Sequence, residues 1–148
     1  MKMPYKKWLG IGMLLMLWPV AQAWAQPINV TVKTVLASSA GNYMDPQLSR
    51  LTDELKSVFR YTSYRLLAQD RLNLQLNQTG NTGLPGQRRL NITPLAIEGQ
   101  RVKMRLVLMR QGSAVFNTDI LLRNRGSITV GGPRYENGYL LFNVSSFF

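Results

Sequence analysis

From Val102 onward the chain alternates: Val102, Met104, Leu106 and Leu108 are apolar, with Lys103, Arg105 and Val107 between them. A period of two puts successive side chains on opposite faces, which is the signature of a strand with one face turned to a core. The pattern recurs in Leu72, Leu74 and Leu76, in Phe116, Thr118, Ile120 and Leu122, and in Leu140, Phe142 and Val144. Leu90 with Ile92 and Leu95 with Ile97 mark another strand, Pro94 suggesting an edge or a bulge between its halves. Ile28 to Leu36 is rich in β-branched residues, Tyr61 to Leu67 favours strand by composition, and Ile128 to Val130 reads as a short strand. Gly99, Gly112, Gly126 and Gly138 punctuate the second half as turn signals, and Asn137-Gly138 is a strong hairpin dipeptide. The Asn, Gln, Thr, Gly and Pro residues of 77–88 read as a loop.

One helix interrupts this pattern. Asp45 is a good N-cap and Pro46 suits the first helical position, where no N–H is missed. Leu48, Leu51, Leu55, Val58 and Phe59 then recur at helical spacing, predicting an amphipathic helix over about 46–59. Its apolar stripe needs a surface, and the sheet is the one on offer. The expected fold is α+β: one amphipathic helix packed on a mainly antiparallel, meandering sheet of about six to eight strands.

The first residues read differently. Lys2, Lys6 and Lys7 precede an uncharged apolar run from Trp8 to Trp18, then Pro19 and the small residues of Ala23-Trp24-Ala25. These are the parts of a cleavable secretory signal peptide, expected over 1–25, which leaves 26–148 as a single domain. The apolar run is shorter than the roughly 20 residues a spanning helix needs, so no transmembrane helix is expected in the mature chain. The expected address is the periplasm, with secretion or a peripheral place at the outer membrane as alternatives. Four Asn-x-Ser/Thr sequons, at Asn29, Asn77, Asn91 and Asn143, read as chance beside a leader of bacterial type.

The chemical inventory is narrow. There is no Cys and no His, which excludes Cys-His and Ser-His-Asp nucleophilic sites, disulfides, soft metal ligands and a lipidated cysteine. The seven acids are dispersed; Asp70 and Asp119 are the pair that would have to meet in space for carboxylate catalysis. The expectation is a protein that is not an enzyme and carries no cofactor or metal. Of 18 basic residues three fall in the leader, leaving 15 against 7 acids. That balance favours an acidic partner, such as anionic lipid, lipopolysaccharide or another polyanion, or else only keeps the surface soluble. The cations are scattered, so nucleic acid is not expected.

Two clusters stand out. Arg60, Tyr61, Tyr64 and Arg65 follow the helix, and Arg134 and Tyr135 follow the stiff Gly131-Gly132-Pro133. Tyr and Arg are the side chains that dominate binding hot spots. Each cluster also has a plain structural reading, Tyr as half-buried packing and Gly-Gly-Pro as a strand ending. The terminal Phe148, on a strand with alternating residues, is also a feature of small outer-membrane β-barrels.

The segments Asp45-Pro46-Gln47-Leu48, Phe59 to Leu67, Leu84-Pro85-Gly86, Ile92-Thr93-Pro94 and Gly131 to Arg134 together resemble a group of short exported single-domain proteins of Gram-negative bacteria. That resemblance implies an exported single domain and carries over no catalytic residue. The expected function is a non-enzymatic periplasmic binding or accessory protein that docks on an envelope or secretion-apparatus protein. The alternative is a basic domain that binds anionic lipid or glycan; a small outer-membrane barrel is the third reading. The sequence leaves the oligomeric state open.

Overall fold

A computed structural model describes residues 26–148; the leader expected over 1–25 lies outside the described residues. Eight strands form: β1 (Ile28–Ser38), β2 (Ser63–Leu74), β3 (Gly80–Leu84), β4 (Arg88–Glu98), β5 (Arg101–Arg110), β6 (Ser113–Arg123), β7 (Ser127–Tyr135) and β8 (Gly138–Phe147). Between β1 and β2, a 3-10 turn at Pro46–Leu51 runs into a short helix, α1 (Thr52–Val58).

The α+β fold with one helix-covered sheet is not what forms. The chain is mostly β, in two four-stranded antiparallel sheets ordered β2-β1-β8-β7 and β3-β4-β5-β6. Their inner faces bury each other. One cluster of sixteen buried residues draws on β1, β2, β3, β4, β5, β6 and β8, among them Val30, Ile92, Met104, Leu106 and Phe142. The helical segment supplies only Leu48, Leu51 and Leu55, and these belong to a separate cluster. Dimensions explain the outcome. Thirteen residues of helix span about 20 Å, whereas eight strands at about 4.8 Å spacing are nearly twice as wide. A second sheet is the only element large enough to cover the first.

The second sheet is the expected meander. The first is not sequential, because β8 returns to lie beside β1, with Leu36 opposite Leu140 and Val32 opposite Val144. Gly138 has to be glycine at this junction, since a Cβ there would collide with the carbonyl of Ala37. Residues 77–88, read as a loop, contain β3, whose Thr82 and Leu84 face inward. The two halves expected on either side of residue 70 are one strand, β2. Pro94 does sit at an irregularity: the register shifts between Pro94 and Ala96, and β3 reaches only as far as Ile92.

The helix lies on the outer face of the first sheet. Opposite Thr34 and Val35 of β1, the β2 partners jump from Ala68 to Leu66, and Leu67 is the extra residue. Beyond that bulge Val35, Ala37, Tyr64 and Leu66 turn outward, where Leu48, Leu51 and Leu55 cover them together with Leu141 of β8. At this end the molecule is three layers thick, which is why Val35, Leu36, Ala37 and Ser38 are all buried in succession. Asp45 caps the 3-10 turn as expected, its carboxylate accepting from Gln47 N at 3.0 Å. The other carboxylate oxygen accepts from Leu66 N at 3.1 Å, tying the helix start to the edge of the sheet. Among the described residues no helix is long and apolar enough to cross a membrane.

Candidate functional site

Strand alternation sends the chain up and down, so one end of the sandwich gathers the 39–62 segment and the turns at 85–87, 111–112 and 136–137. Both Tyr/Arg clusters lie at this helix end. They meet through a residue that sequence reading passed over, Tyr139. It is the register partner of Arg134 across β7 and β8, and its ring lies 5.9 Å from that of Tyr61. Gly131 faces the ring of Phe59 from the same side.

The six expected residues separate by role. Tyr61 is half-buried, wedged edge-on against Tyr64 at 6.4 Å and tilted against Tyr139. Arg60, Arg65 and Arg134 are exposed. The Arg65 guanidinium sits over the exposed ring of Tyr43 at 5.9 Å from its centre, a cation–π contact. Tyr135 turns inward and packs on the main core.

Tyr64 is wholly buried and acts as a clamp. Its hydroxyl has the carbonyl oxygens of Leu55 at 3.0 Å and Phe59 at 2.9 Å as acceptors, and it accepts from Tyr61 N at 3.3 Å. The Phe59 carbonyl is a group that a helix end leaves unpaired, whereas the Leu55 carbonyl also accepts from Phe59 N at 2.9 Å. Burial pushes the Tyr64 phenol above its ordinary value, because the phenolate would be poorly solvated there. Tyr64 therefore holds Tyr61 in place and is not itself presented to a ligand.

The presented surface is Tyr43, Tyr61, Tyr139, Arg65 and Arg134. Asn42, Tyr43, Met44, Lys56, Tyr61 and Thr62 line an open cleft of about 370 Å3 beside it. Tyr43 and Tyr139 are 47% and 41% exposed, unusual for large rings and typical of surfaces that meet a partner. A signal for Tyr139 was available in the sequence: it follows the Asn137-Gly138 turn and precedes an inward Leu140, so it had to face outward.

The acids are engaged elsewhere. Asp119 lies on the outer face of the second sheet, where Arg105 grips it through Nε at 2.9 Å and Nη2 at 3.1 Å, with Lys103 at 3.9 Å. The hydrogen-bonded guanidinium lowers the Asp119 carboxyl and raises Arg105. Asp70 lies at the seam between the sheets and accepts from Thr82 Oγ1. The two carboxylates thus sit on different surfaces. Glu54 of α1 accepts from Thr129 Oγ1 at 2.7 Å, and Asn143 Nδ2 donates to the same oxygen at 3.0 Å. Among the described residues no group of three or more acids is placed to hold a metal ion.

No family model, no curated protein and no solved structure matches the chain.

Proposed function

We propose that this is a non-enzymatic binding or accessory domain of the bacterial envelope, exported to the periplasm, that docks on a protein partner through its helix end. The observation that carries the reading is the Tyr61–Tyr139 pair, flanked by Tyr43 under Arg65 and by Arg134. Rings and guanidiniums are already assembled there, so a partner meets a rigid surface and little side-chain freedom is lost on binding. Tyr61 is fixed from behind by buried Tyr64, which makes it the anchor.

A second reading, capture of anionic lipid or lipopolysaccharide, is favoured by the charge at the same end. Arg60, Arg65, Arg89, Arg110 and Arg134 are all exposed. Among the described residues, ion pairs within 4 Å involve only Asp119 with Lys103 and Arg105. The face polarity argues against a lipid-embedded barrel. Arg101, Lys103 and Arg105 point outward and Val102, Met104 and Leu106 inward, the reverse of what a bilayer requires.

The test is a photo-crosslinker placed at residue 139 in cells, with residue 117, on the outer face of the second sheet, as control. A discrete protein adduct is expected at 139 and not at 117. Tyr61→Ala abolishes it, and about 0.5 M NaCl leaves it largely intact, since exposed charges are screened at that strength and buried rings are not. Salt-sensitive binding to anionic vesicles that ignores Tyr61→Ala, with no adduct at 139, would replace protein docking by lipid capture.

A further inference from the structure

Between β6 and β7 the sandwich is open. These are outer strands of their two sheets, joined by the turn 124–126, where Gly126 N donates to the Arg123 carbonyl at 2.8 Å. Away from that turn they part. Of the inward residues of β6, Leu122 is 3% exposed and Phe116 is 39% exposed. A bulge opens the strand further: Leu108 pairs with Phe116 but Met109 with Ala114, so Val115 is the extra residue, and it is 56% exposed. Opposite, β7 loses its register with β8 between Gly131 and Arg134, and Gly131-Gly132-Pro133 has no long side chain to fill the gap. None can be added at Gly132, because a Cβ there would stand 2.6 Å from the Phe142 ring and 2.7 Å from the Leu140 carbonyl oxygen. What remains is an open slot of about 290 Å3, lined by Leu108, Val115, Phe116, Gly131, Gly132 and Pro133.

The lining side chains are all apolar, and the rim is not. From Ser113 to Phe116 the outer edge of β6 presents N–H and C=O groups that no strand pairs among the described residues. An acyl chain would fill the slot and gain nothing from those groups. A polypeptide uses both, with a side chain inside and its main chain along the edge. The other sheet edges are protected: β3 is five residues long, Met44 bridges to Tyr64 beside β2, and β7 carries Pro133. Two exposed arginines flank the slot, Arg110 as the register partner of Ser113 and Arg134 directly after Pro133, and no acid lines it. Arg134 also belongs to the docking surface through Tyr139, so slot and rings are continuous around β7.

Resting on the docking reading above, we infer that the partner lays an extended, acid-flanked segment into this slot. One bulky apolar side chain enters between the sheets against Phe116, Val115 and Leu108. The main chain of the segment hydrogen-bonds to the edge of β6 at Ser113 to Phe116, and its acidic residues face Arg110 and Arg134. The rings of Tyr61 and Tyr139 hold the partner from one side of β7 and the slot holds it from the other.

A photo-crosslinker at residue 115 in cells, run beside the one at 139, tests it. The expected result is an adduct to the same protein as at 139, which peptide mapping places on a Leu, Ile, Met, Phe or Trp with Asp or Glu close by in sequence. Residue 117 stays unlabelled, because its side chain points off the outer face of the second sheet, beside that of Val107. Val115→Asp, an exposed position whose fold is checked by circular dichroism, lowers the adduct yield at 139 by about tenfold, the worth of burying one large apolar side chain. Asn117→Asp adds the same charge on the outer face and leaves that yield unchanged. An adduct at 139 with none at 115 overturns the inference and leaves the docking surface standing. So does an adduct at 115 that maps to a lipid or to a polar residue, or one of twice the chain mass, which is β6 pairing with its own copy. Equal yields in Val115→Asp and Asn117→Asp overturn it as well. An adduct at 115 with none at 139 keeps the slot and removes the ring surface, and absence of both removes both.

Discussion

Replacing Tyr64 by Phe removes one oxygen and nothing else. The ring remains in its buried site, so no cavity large enough to matter is created. What is lost is the hub that joins the Leu55 and Phe59 carbonyls to the Tyr61 N–H. The Leu55 carbonyl keeps a second partner, because Phe59 N donates to it at 2.9 Å. The Phe59 carbonyl and the Tyr61 N–H have only partial access to water as compensation. One net hydrogen bond is worth about 1 kcal/mol, and a stranded buried partner costs about 1–3 kcal/mol more. With the stranded groups partly reached by water, the lower part of that sum of about 2–4 kcal/mol applies, an expected loss of about 2–3 kcal/mol. With a urea m-value of about 2 kcal/mol/M for a domain of this size, the midpoint falls by about 1–1.5 M. The assay is equilibrium urea denaturation followed by far-UV circular dichroism at pH 7 and again above pH 10. The folded state holds the Tyr64 proton more tightly than the unfolded chain, whose phenol titrates near 10.0. Its contribution is thus complete below pH 10 and is lost as pH rises through the higher folded value. Tyr64→Phe lacks this component, so the gap between the two proteins narrows in alkali. A midpoint unchanged within about 0.2 M at pH 7 would refute the clamp, because the clamp predicts several times that shift.

Two further outcomes follow from the same accounting of buried polar groups. Asp45→Ala removes acceptors from both Gln47 N and Leu66 N and is expected to cost about 2 kcal/mol; hydrogen exchange should show the 3-10 turn and the start of β2 opening together, and protection lost in the turn alone would disprove the coupling. Thr34 buries a hydroxyl with no partner opposite Phe142, so Thr34→Val is expected to be neutral or to stabilise by about 1 kcal/mol in the same urea assay; a loss above that size would show that the hydroxyl is satisfied.

The strands were legible wherever one face meets the core and the other meets water. Val102 to Leu108 faces as its alternation says; Leu140, Phe142 and Val144 point into the core as read, but Leu141 and Asn143 between them are buried as well. Legibility fails where that condition fails. Val35 to Ser38 is buried on both faces, so it shows no alternation to read. Tyr61 to Leu67 could be read as strand only by its composition, because the β2 bulge at Leu67 reverses the faces there. β3 contributes only Thr82 and Leu84 inward and hides among turn-forming residues. The helix start was plain from Asp45-Pro46, but its stripe stops short: Val58 is 63% exposed. The number of inward positions along the strands far exceeded what Leu48, Leu51 and Leu55 can cover, and that mismatch was the available sign of a second sheet. At the site, residue types picked out two Tyr/Arg clusters that the fold brings to one end of the sandwich, and burial separates wholly buried Tyr64 from half-buried Tyr61. Tyr139 meets Arg134 and Tyr61 through strand register and sheet order, which connect residues far apart in sequence and are invisible to local patterns.

The pairing of β1 with β8 has a kinetic consequence. Thr31 lies opposite Ser145 and Thr34 opposite Phe142, so the central seam of the first sheet joins segments more than a hundred residues apart. Closing a loop of that length comes before the contacts that reward it, and folds dominated by such pairings form in about milliseconds to seconds, far slower than local helical ones. Until β8 arrives, β1 has an unpaired inner edge and Leu140, Phe142 and Val144 have no seat, so a truncated or emerging chain cannot complete its core. Such a chain stays open while it is being made.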